Sequence, residues 1–163
     1  MKQYSLFGIK PDAFNPLQTR DENNKLRKAL PENPYDFVEL VKNKLKEKDL
    51  EIINEREYRL NYETSEKHYI EHKNNTNSNF TKDSFEGLLQ FMISGKSYWI
   101  IFYGEDAIKK GRQILTDIRQ EYLVNPKCRY NMTHAADSIE SANREIMIHF
   151  PEITTKLNNN KTN

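Results

Sequence analysis

The chain has 163 residues, of which 36% are hydrophobic and 11% aromatic, and its mean hydropathy is −0.91. This length suits one domain with its own core and leaves too little chain for two. The 25 basic and 24 acidic residues give a formal net charge of +1, so no overall field selects for nucleic acid or for an anionic membrane. Cys128 is the single cysteine, which excludes an intramolecular disulfide and a metal site built from several cysteines.

No apolar run approaches the roughly 20 residues of a membrane-spanning helix. The chain enters a strand pattern at once, without the charged and apolar regions of a signal peptide. We therefore expect a cytoplasmic protein with no membrane contact, and we do not expect nucleic acid as a partner.

The first part of the chain predicts a strand and then a long polar segment. Residues 3–9 alternate in the manner of a strand. The Lys-Pro-Asp sequence at 10–12 ends it, because proline cannot continue a strand and aspartate can cap the next turn. Residues 15–33 are polar and contain two prolines. We interpret them as an inserted surface segment holding a short helix at 22–30.

The middle of the chain alternates helix and strand patterns. Residues 35–48 place apolar side chains on one helical face and lysines opposite. Residues 50–60 predict a strand, and residues 64–72 predict a short helix. The segment 73–79 is Asn-rich and has no periodicity, so we predict a loop there, and we interpret residues 73–82 as a second inserted surface segment.

Three further elements lead toward the end of the chain. Residues 83–91 predict a short helix with a capping box at its start. Residues 97–103 form the most apolar run of the sequence and predict a buried central strand. A helix is expected over 105–115, and residues 116–130 are mixed in character and predicted to be mainly loop.

The segment 131–146 combines a histidine with the start of an amphipathic helix. Asp137 and Glu140 stand at the spacing of N-cap and third helical residue, where each carboxylate can accept from a free backbone N–H. Three apolar residues then fall on one helical face: Ile139, Ala142 and Ile146. Glu145 lies two turns along, from where its carboxylate reaches back toward His134. A histidine beside a helix N-terminus and a carboxylate suits the handling of phosphate.

The order of elements predicts an α/β (α+β) sandwich, with a ferredoxin-like antiparallel sheet and helices packed on one face. Residues 1–152 are expected to form a single domain, with 15–33 and 73–82 inserted into its surface. Residues 153–163 are expected to be a polar C-terminal tail.

Two other motifs resemble known nucleotide or metal sites, but the residues around them do not fit those sites. The Gly-Lys-Ser sequence at 95–97 ends like a P-loop, but Gln90 stands where the first glycine is needed and a strand comes after it. His68 and His72 are spaced to chelate a metal from one helix, but Tyr69 occupies the position of a zincin's general base. No third ligand suggests itself, so we interpret these two residues as surface histidines.

The segment Asn-x-x-His-x-x-Asp-Ser-x-Glu-Ser-Ala-x-Arg-Glu-Ile at 131–146 resembles the active-site segment of nucleoside diphosphate kinases. The Lys-Pro-Asp sequence at 10–12 is similar to that family's N-terminal signature, and both matches occur in the family's order. The resemblance extends from Tyr4 to about Pro151. It implies the ferredoxin-like fold and transfer of a terminal phosphoryl group between nucleotides, by a ping-pong route through a phosphohistidine.

The resemblance implies four catalytic positions. His134 matches the nucleophile, and neutral imidazole is nucleophilic near pH 7. Glu145 matches the carboxylate that orients this histidine. Lys10 matches a phosphate-contacting lysine, and Tyr69 matches the tyrosine beside the catalytic histidine.

The resemblance also implies a set of nucleotide contacts: Lys10, Phe85, Arg112, Thr116, Arg119 and Asn131. Phe85 matches the aromatic residue that stacks on the base, although simple core packing would also explain it. Arg112 matches a phosphate-binding arginine, whose planar fork gives bidentate contacts. Asn131 matches the contact to the ribose hydroxyl.

The expected partners are nucleoside tri- and diphosphates and further copies of the same chain, since the family forms homo-oligomers. Mg²⁺ would arrive with the nucleotide, because it keeps phosphate oxygens and waters as ligands. Asp137 matches an acidic residue near the phosphates and the metal, although capping alone would explain it.

The sequence departs from the family pattern at one residue and one loop. The serine common two positions after the histidine is Ala136 here. The stretch before the histidine is shortened, so Arg119 is the best match for the second phosphate-binding arginine, with Arg129 as competitor. Thr116 is the nearest candidate for the family's loop threonine. These departures leave two alternatives open: a catalytically weak or inactive relative that binds nucleotides or proteins, and an interaction module that uses the inserted segments.

Overall fold

The computed structural model describes residues 1–15, 18–73 and 82–153, and these contain four strands. The strands are β1 (Lys2–Ile9), β2 (Glu51–Tyr58), β3 (Ser97–Glu105) and β4 (Thr133–Ala135). They form one sheet in the spatial order β2-β3-β1-β4, and every neighbouring pair is antiparallel. The predicted ferredoxin-like sheet is confirmed.

Six α-helices surround the sheet in the described residues: α1 (Pro34–Glu47), α2 (Tyr62–His68), α3 (Ile70–Lys73), α4 (Lys82–Ile93), α5 (Ala107–Tyr122) and α6 (Ile139–His149). Short 3-10 turns occur after β1 at Pro11–Phe14 and after α6 at Pro151–Ile153. None of these described helices has both the length and the apolar sequence that a membrane crossing requires.

The core lies on both faces of the sheet, because successive residues of a strand point to opposite sides. Phe7 and Phe102 pack with α1 and α5, whereas Leu6 and Ile101 pack with α4 and α6. The sequence predicts helices on one face only, and the second layer corrects that expectation. The reason lies in β3, whose residues 99–102 are all buried, so the strand needs cover on both sides.

Helix α5 is longer than the sequence predicts. It runs from Ala107 to Tyr122, so the predicted helix end at 115 is wrong. The loop predicted over 116–130 is wrong for residues 116–122, which are helical. Ile114, Ile118 and Tyr122 recur every four residues and are buried against the sheet. The charged residues between them hide this periodicity in the sequence.

The segment 18–33 contains no helix among its described residues, so the helix predicted at 22–30 is wrong. Leu26 instead forms an isolated antiparallel bridge with Leu123, and Leu30 joins the core. The Arg20 guanidinium contacts the Asp12 carboxylate at 2.7 Å, with both side chains almost completely buried. These contacts attach the segment to the domain from outside, which local periodicity does not reveal.

The helix predicted at 64–72 is interrupted. The structure has α2 up to His68 and α3 from Ile70, with Tyr69 between them in a non-helical backbone conformation. Of the predicted loop at 73–79 and the inserted segment at 73–82, residues 74–81 lie outside the described part of the chain.

Candidate active site

Strand β4 and the start of α6 position His134. In the pairing of β1 with β4, Gly8 stands opposite His134. A Cβ atom on Gly8 would overlap the indole ring of Trp99, so glycine at this position lets the tryptophan lie directly behind the histidine's strand.

The helix after His134 begins one residue later than predicted. Ser138 is the N-cap, and its side-chain oxygen accepts a hydrogen bond from the backbone N–H of Ser141 at 3.0 Å. The predicted cap at Asp137 is therefore wrong, since two adjacent residues of cap-forming type occur and the backbone uses the second. Asp137 is exposed and faces the cavity beside His134.

Glu145 holds the imidazole of His134. The distance from His134 Nε2 to Glu145 Oε2 is 2.9 Å, and the two side chains are 18% and 5% exposed. Burial lowers the pKa of His134 well below its usual value, and the charges of Lys10, Arg119 and Arg112 lower it further. The ring is therefore neutral, and beside a carboxylate its proton lies on Nε2. Nδ1 then keeps its lone pair, because the hydrogen bond to Glu145 is made at Nε2.

A cavity of about 300 Å³ opens beside His134, and we call it the His134 cavity. The site residues predicted from the sequence that line it are Lys10, Tyr69, Arg112, Arg119, Asn131, His134, Asp137 and Glu145, and the competitor Arg129 lines it as well. The chain thus brings residues from its beginning, middle and end to one place.

Two arginines are held beside His134 by hydrogen bonds to backbone carbonyl groups of β4. Arg112 Nη1 donates to the carbonyl oxygen of Ala135 at 3.1 Å. Arg119 Nη2 donates to the carbonyl oxygen of Thr133 at 2.8 Å. These carbonyls belong to the residues before and after His134 in the sequence. The hydrogen bonds therefore fix the positions of the two guanidinium groups relative to the imidazole ring.

Lys10 completes a group of cations at the cavity. Its side chain is only 4% exposed. Burial, and then the charge of Arg119, lowers the pKa of Lys10 to about 7. Three crowded cations, partly desolvated, create a site whose energy falls when an anion enters.

Asn131 already makes contacts within the protein. Its Nδ2 donates to the carbonyl oxygen of Cys128 at 2.8 Å, and its Oδ1 accepts from the backbone N–H of Thr133 at 3.0 Å. The residue therefore shapes the turn that leads into β4.

Two predicted nucleotide contacts are not among the described residues that line the His134 cavity. Phe85 is 8% exposed and packs in the apolar cluster under α4. Thr116 lies on the exposed side of α5, and its hydroxyl donates to the carbonyl oxygen of Arg112 at 3.0 Å.

Behind His134 lie two buried histidines that the sequence pattern did not place in the site. The ring centroid of His68 is 4.5 Å from that of His134, and His68 Nδ1 lies 2.9 Å from His149 Nε2. His149 in turn stacks on Trp99, with ring centroids 3.6 Å apart. The interpretation of His68 as a surface histidine is wrong, whereas His72 is exposed. His149 lies one turn after the buried Ile146, so helical periodicity could have placed it in the core.

The sequence model of the nucleoside diphosphate kinase family matches residues 35–155 of this chain. The chain belongs to that family. The match leaves out the first 34 residues, which include Lys10.

Individual members of the nucleoside diphosphate kinase family resemble the chain over different lengths. The nucleoside diphosphate kinase of Methanocaldococcus jannaschii is 31% identical over 163 residues, which span 93% of this chain and 96% of that protein. That of Caldanaerobacter subterraneus subsp. tengcongensis is 36% identical over 99 residues, which span 56% of this chain and 66% of that protein.

Solved structures of nucleoside diphosphate kinases share the fold. The enzyme of Aquifex aeolicus aligns with a TM-score of 0.66 and 23% identity, covering 92% of this chain and 96% of that one. The enzyme of Halobacterium salinarum, in complex with CDP, aligns with a TM-score of 0.65 and 21% identity, covering 92% of this chain and 88% of that one.

Proposed function

We propose that this protein is a nucleoside diphosphate kinase that transfers the terminal phosphate of a nucleoside triphosphate to a nucleoside diphosphate through a phosphohistidine at His134. One observation carries the proposal. Glu145 holds Nε2 of a neutral imidazole at 2.9 Å, which leaves the Nδ1 lone pair on a ring that lines a cation-rich cavity.

The reaction has two matching steps. Nδ1 of His134 attacks the γ-phosphorus of the triphosphate, the bond to the β-phosphate oxygen breaks, and the diphosphate leaves with that electron pair. The ring becomes a positively charged phosphoramidate, which the Glu145 carboxylate stabilises through the Nε2 proton. An oxygen of the second diphosphate then attacks the same phosphorus, the N–P bond breaks, and the neutral imidazole is restored.

The cations at the His134 cavity supply most of the remaining catalysis, because phosphoryl transfer depends on positioning and on neutralising the phosphate oxygens. Arg112 and Arg119 are held by carbonyl groups adjacent to His134, so they need little reorganisation when phosphate binds. Lys10 is buried and lines the same cavity. Arg119 is thus better supported as the second phosphate-binding arginine than Arg129.

We also propose Mg²⁺ as the metal that enters with the nucleotide. Asp137 fits this role because its carboxylate is exposed, lines the cavity and does not cap the helix. Bound Mg²⁺ would neutralise the phosphate chain, with waters completing its coordination.

The remaining contacts implied by the resemblance stay predictions. Tyr69 lines the cavity and its buried hydroxyl has no partner among the described residues, which suits a hydrogen bond to a bound ligand. The side-chain amide of Asn131 has to bind the ribose hydroxyl in addition to its present contacts in the turn. Phe85 has to turn out of its apolar cluster to stack on a base, and Thr116 has to release its bond to Arg112.

Five further statements are likewise predictions from the sequence. Two concern the whole protein, namely homo-oligomer assembly and a cytoplasmic location. Three concern its organisation: a single domain over 1–152, inserted segments at 15–33 and 73–82, and a tail at 153–163. Residues 154–163 lie outside the described part of the chain. Gel filtration coupled to light scattering of the full-length protein tests the assembly.

Labelling the protein tests the proposed function. Wild type incubated with γ-labelled ATP and Mg²⁺ should acquire phosphate that is acid-labile and base-stable, and GDP should discharge it as labelled GTP. His134→Ala should lose both label and transfer, because no nucleophile remains, while His72→Ala should keep them. Turnover in folded His134→Ala at the wild-type rate would reject the phosphohistidine route.

The alternative of a nucleotide-binding relative with weak catalysis rests on Ala136, which is buried two residues after His134 and carries no hydroxyl. Saturable ATP binding without any labelled protein would favour it over the kinase.

A further inference from the structure

His68, His134 and Glu145 converge at the inner end of the His134 cavity. Each offers one ligand atom, and these three atoms lie within 4.8 Å of one another. All three residues line the cavity. The proposed kinase reaction uses His134 and Glu145 and gives His68 no task.

His68 carries an unused nitrogen at this point. Its side chain is 2% exposed, and Nε2 is buried without a hydrogen-bond partner among the described residues. A buried imidazole nitrogen without a partner is unfavourable, because it has lost water and gained no hydrogen bond in return. Such a group in a cavity wall indicates a ligand that the nitrogen is arranged to meet.

The other nitrogen of His68 is held from behind. Nδ1 lies 2.9 Å from His149 Nε2, and the Tyr58 hydroxyl contacts His149 Nδ1. When His68 donates to His149, and His149 donates to Tyr58, the lone pair of His68 remains on Nε2. Protein ligands of metals are oriented in this way, by a hydrogen bond at the ring nitrogen opposite the metal.

We propose that His68, His134 and Glu145 form a binding site for Zn²⁺ or a chemically similar transition-metal ion. Two imidazoles and one carboxylate are a common zinc donor set, with the fourth position open to water or a ligand in the cavity. Zinc bonds of about 2.0–2.2 Å place tetrahedral ligands roughly 3.3–3.5 Å apart. The 2.9 Å contact between His134 and Glu145 has to widen slightly, and His68 has to approach. Mg²⁺ is not the expected ion, because it prefers oxygen ligands.

A metal ion at this site would prevent His134 from acting as a nucleophile. This inhibition rests on the proposed function, whereas the binding of the metal does not. An ion on Nδ1 of His134 occupies the attacking lone pair directly. An ion on Nε2 displaces the proton there, and the neutral ring then carries it on Nδ1. Both arrangements remove the lone pair needed to attack phosphorus.

The cations around the cavity oppose a divalent ion. Lys10, Arg112 and Arg119 repel it, while Glu145 and the nearby Asp137 attract it. We therefore expect binding weaker than at structural zinc sites, and inhibition that is reversed by a chelator.

Cobalt titration tests the site without using activity. Co²⁺ added to the full-length protein should give the intense visible bands of a four-coordinate ion at one equivalent, and Zn²⁺ should abolish them. His68→Gln should weaken binding at least tenfold. The matched control His72→Gln, an exposed residue four positions later at the same cavity, should leave it unchanged. If His68→Gln does not fold, Glu145→Gln removes another ligand and makes the same test.

Labelling with γ-labelled ATP supplies the second arm. Zinc should lower the phosphoenzyme yield of wild type and of His72→Gln, and a chelator should restore it, while His68→Gln should resist zinc relative to its own untreated yield. Absent cobalt bands, or bands lost in His72→Gln but kept in His68→Gln, would overturn the metal site. Cobalt bands in a protein that never acquires label would keep the site and reject the kinase proposal.

Discussion

Lys10 is the side chain whose charge is most sensitive to the occupant of the His134 cavity. It is buried beside Arg119, and this environment lowers its pKa to about 7. A phosphate group bound there would favour the charged ammonium and raise that pKa again. The lysine can therefore take up a proton when substrate arrives.

Nucleotide binding at pH 8 should be accompanied by uptake of a fraction of a proton. At this pH Lys10 is mostly neutral in the free protein, and bound phosphate recharges it. Calorimetric titration in buffers of different ionisation enthalpy measures the uptake, which should fade below about pH 6 because the lysine is then already charged.

Lys10→Met should abolish the uptake, and Lys127→Met, an exposed lysine at the same cavity, should preserve it. Equal heats in all buffers for the wild type would show that Lys10 does not change its charge on binding.

Helix α6 links the stability of the fold to the placement of the site. Its first turn is capped by Ser138, and its second turn carries Glu145, so the register of the cap sets the position of the carboxylate. A cap at Asp137 would leave the same helix one residue longer and would occupy the carboxylate proposed to face Mg²⁺.

Ser138→Ala should lower the free energy of unfolding by about 0.5–2 kcal/mol, because it removes the hydroxyl that accepts from Ser141. Urea denaturation measures the change. Asp137→Ala is the matched control and should have a much smaller effect on stability. The opposite ranking of the two variants would mean that the helix begins at Asp137.

The domain as a whole packs three neutral histidines in one continuous group, in which His68 and His149 are buried and His134 is mostly buried. Burial is the largest cause of the lowered pKa of each. The unfolded chain binds protons at these residues below about pH 6.5, while the native protein does not. The stability that depends on their neutral forms is complete above pH 6.5 and is lost as the pH falls toward the folded pKa values.

The free energy of unfolding should therefore fall steeply between pH 7 and pH 5, with a slope of up to about 4 kcal/mol per pH unit for three groups. Glu145, whose pKa is raised by burial, offsets part of this at the acid end. Urea denaturation at several pH values gives the slope. His149→Phe, which keeps an aromatic ring on Trp99, should reduce the slope by about one proton; a flat profile in wild type would contradict the neutral cluster.

Local patterns predicted those parts of the molecule whose stabilising contacts are local. The apolar run of β3 and the eleven-residue spacing of His134 and Glu145 appear directly in the sequence. The contact between His68 and His149 joins residues 81 positions apart, and no local pattern reports it. The structure of segment 18–33 was mispredicted for the same reason, since Leu26 pairs with the distant Leu123.

The predictions of the α6 cap and of the α5 length were wrong for a different reason. In each case the local sequence allows more than one position for the end of the helix. Asp137 and Ser138 are both good cap residues, and only the packing of Ala142 and Ile146 decides between them. The end of α5 depends on the burial of Ile118 and Tyr122 among charged neighbours, which becomes visible only when the sheet is in place.

The stacking of His149 on Trp99 has a practical consequence. Trp99 is the only tryptophan of the chain, is fully buried, and its ring centroid lies 6.1 Å from that of His134. The protein therefore contains one intrinsic indole fluorophore, located behind the proposed nucleophile His134. Since a charged imidazole quenches indole emission, the light emitted by this single residue reports the ionisation of the histidines around it, in real time and without any added dye.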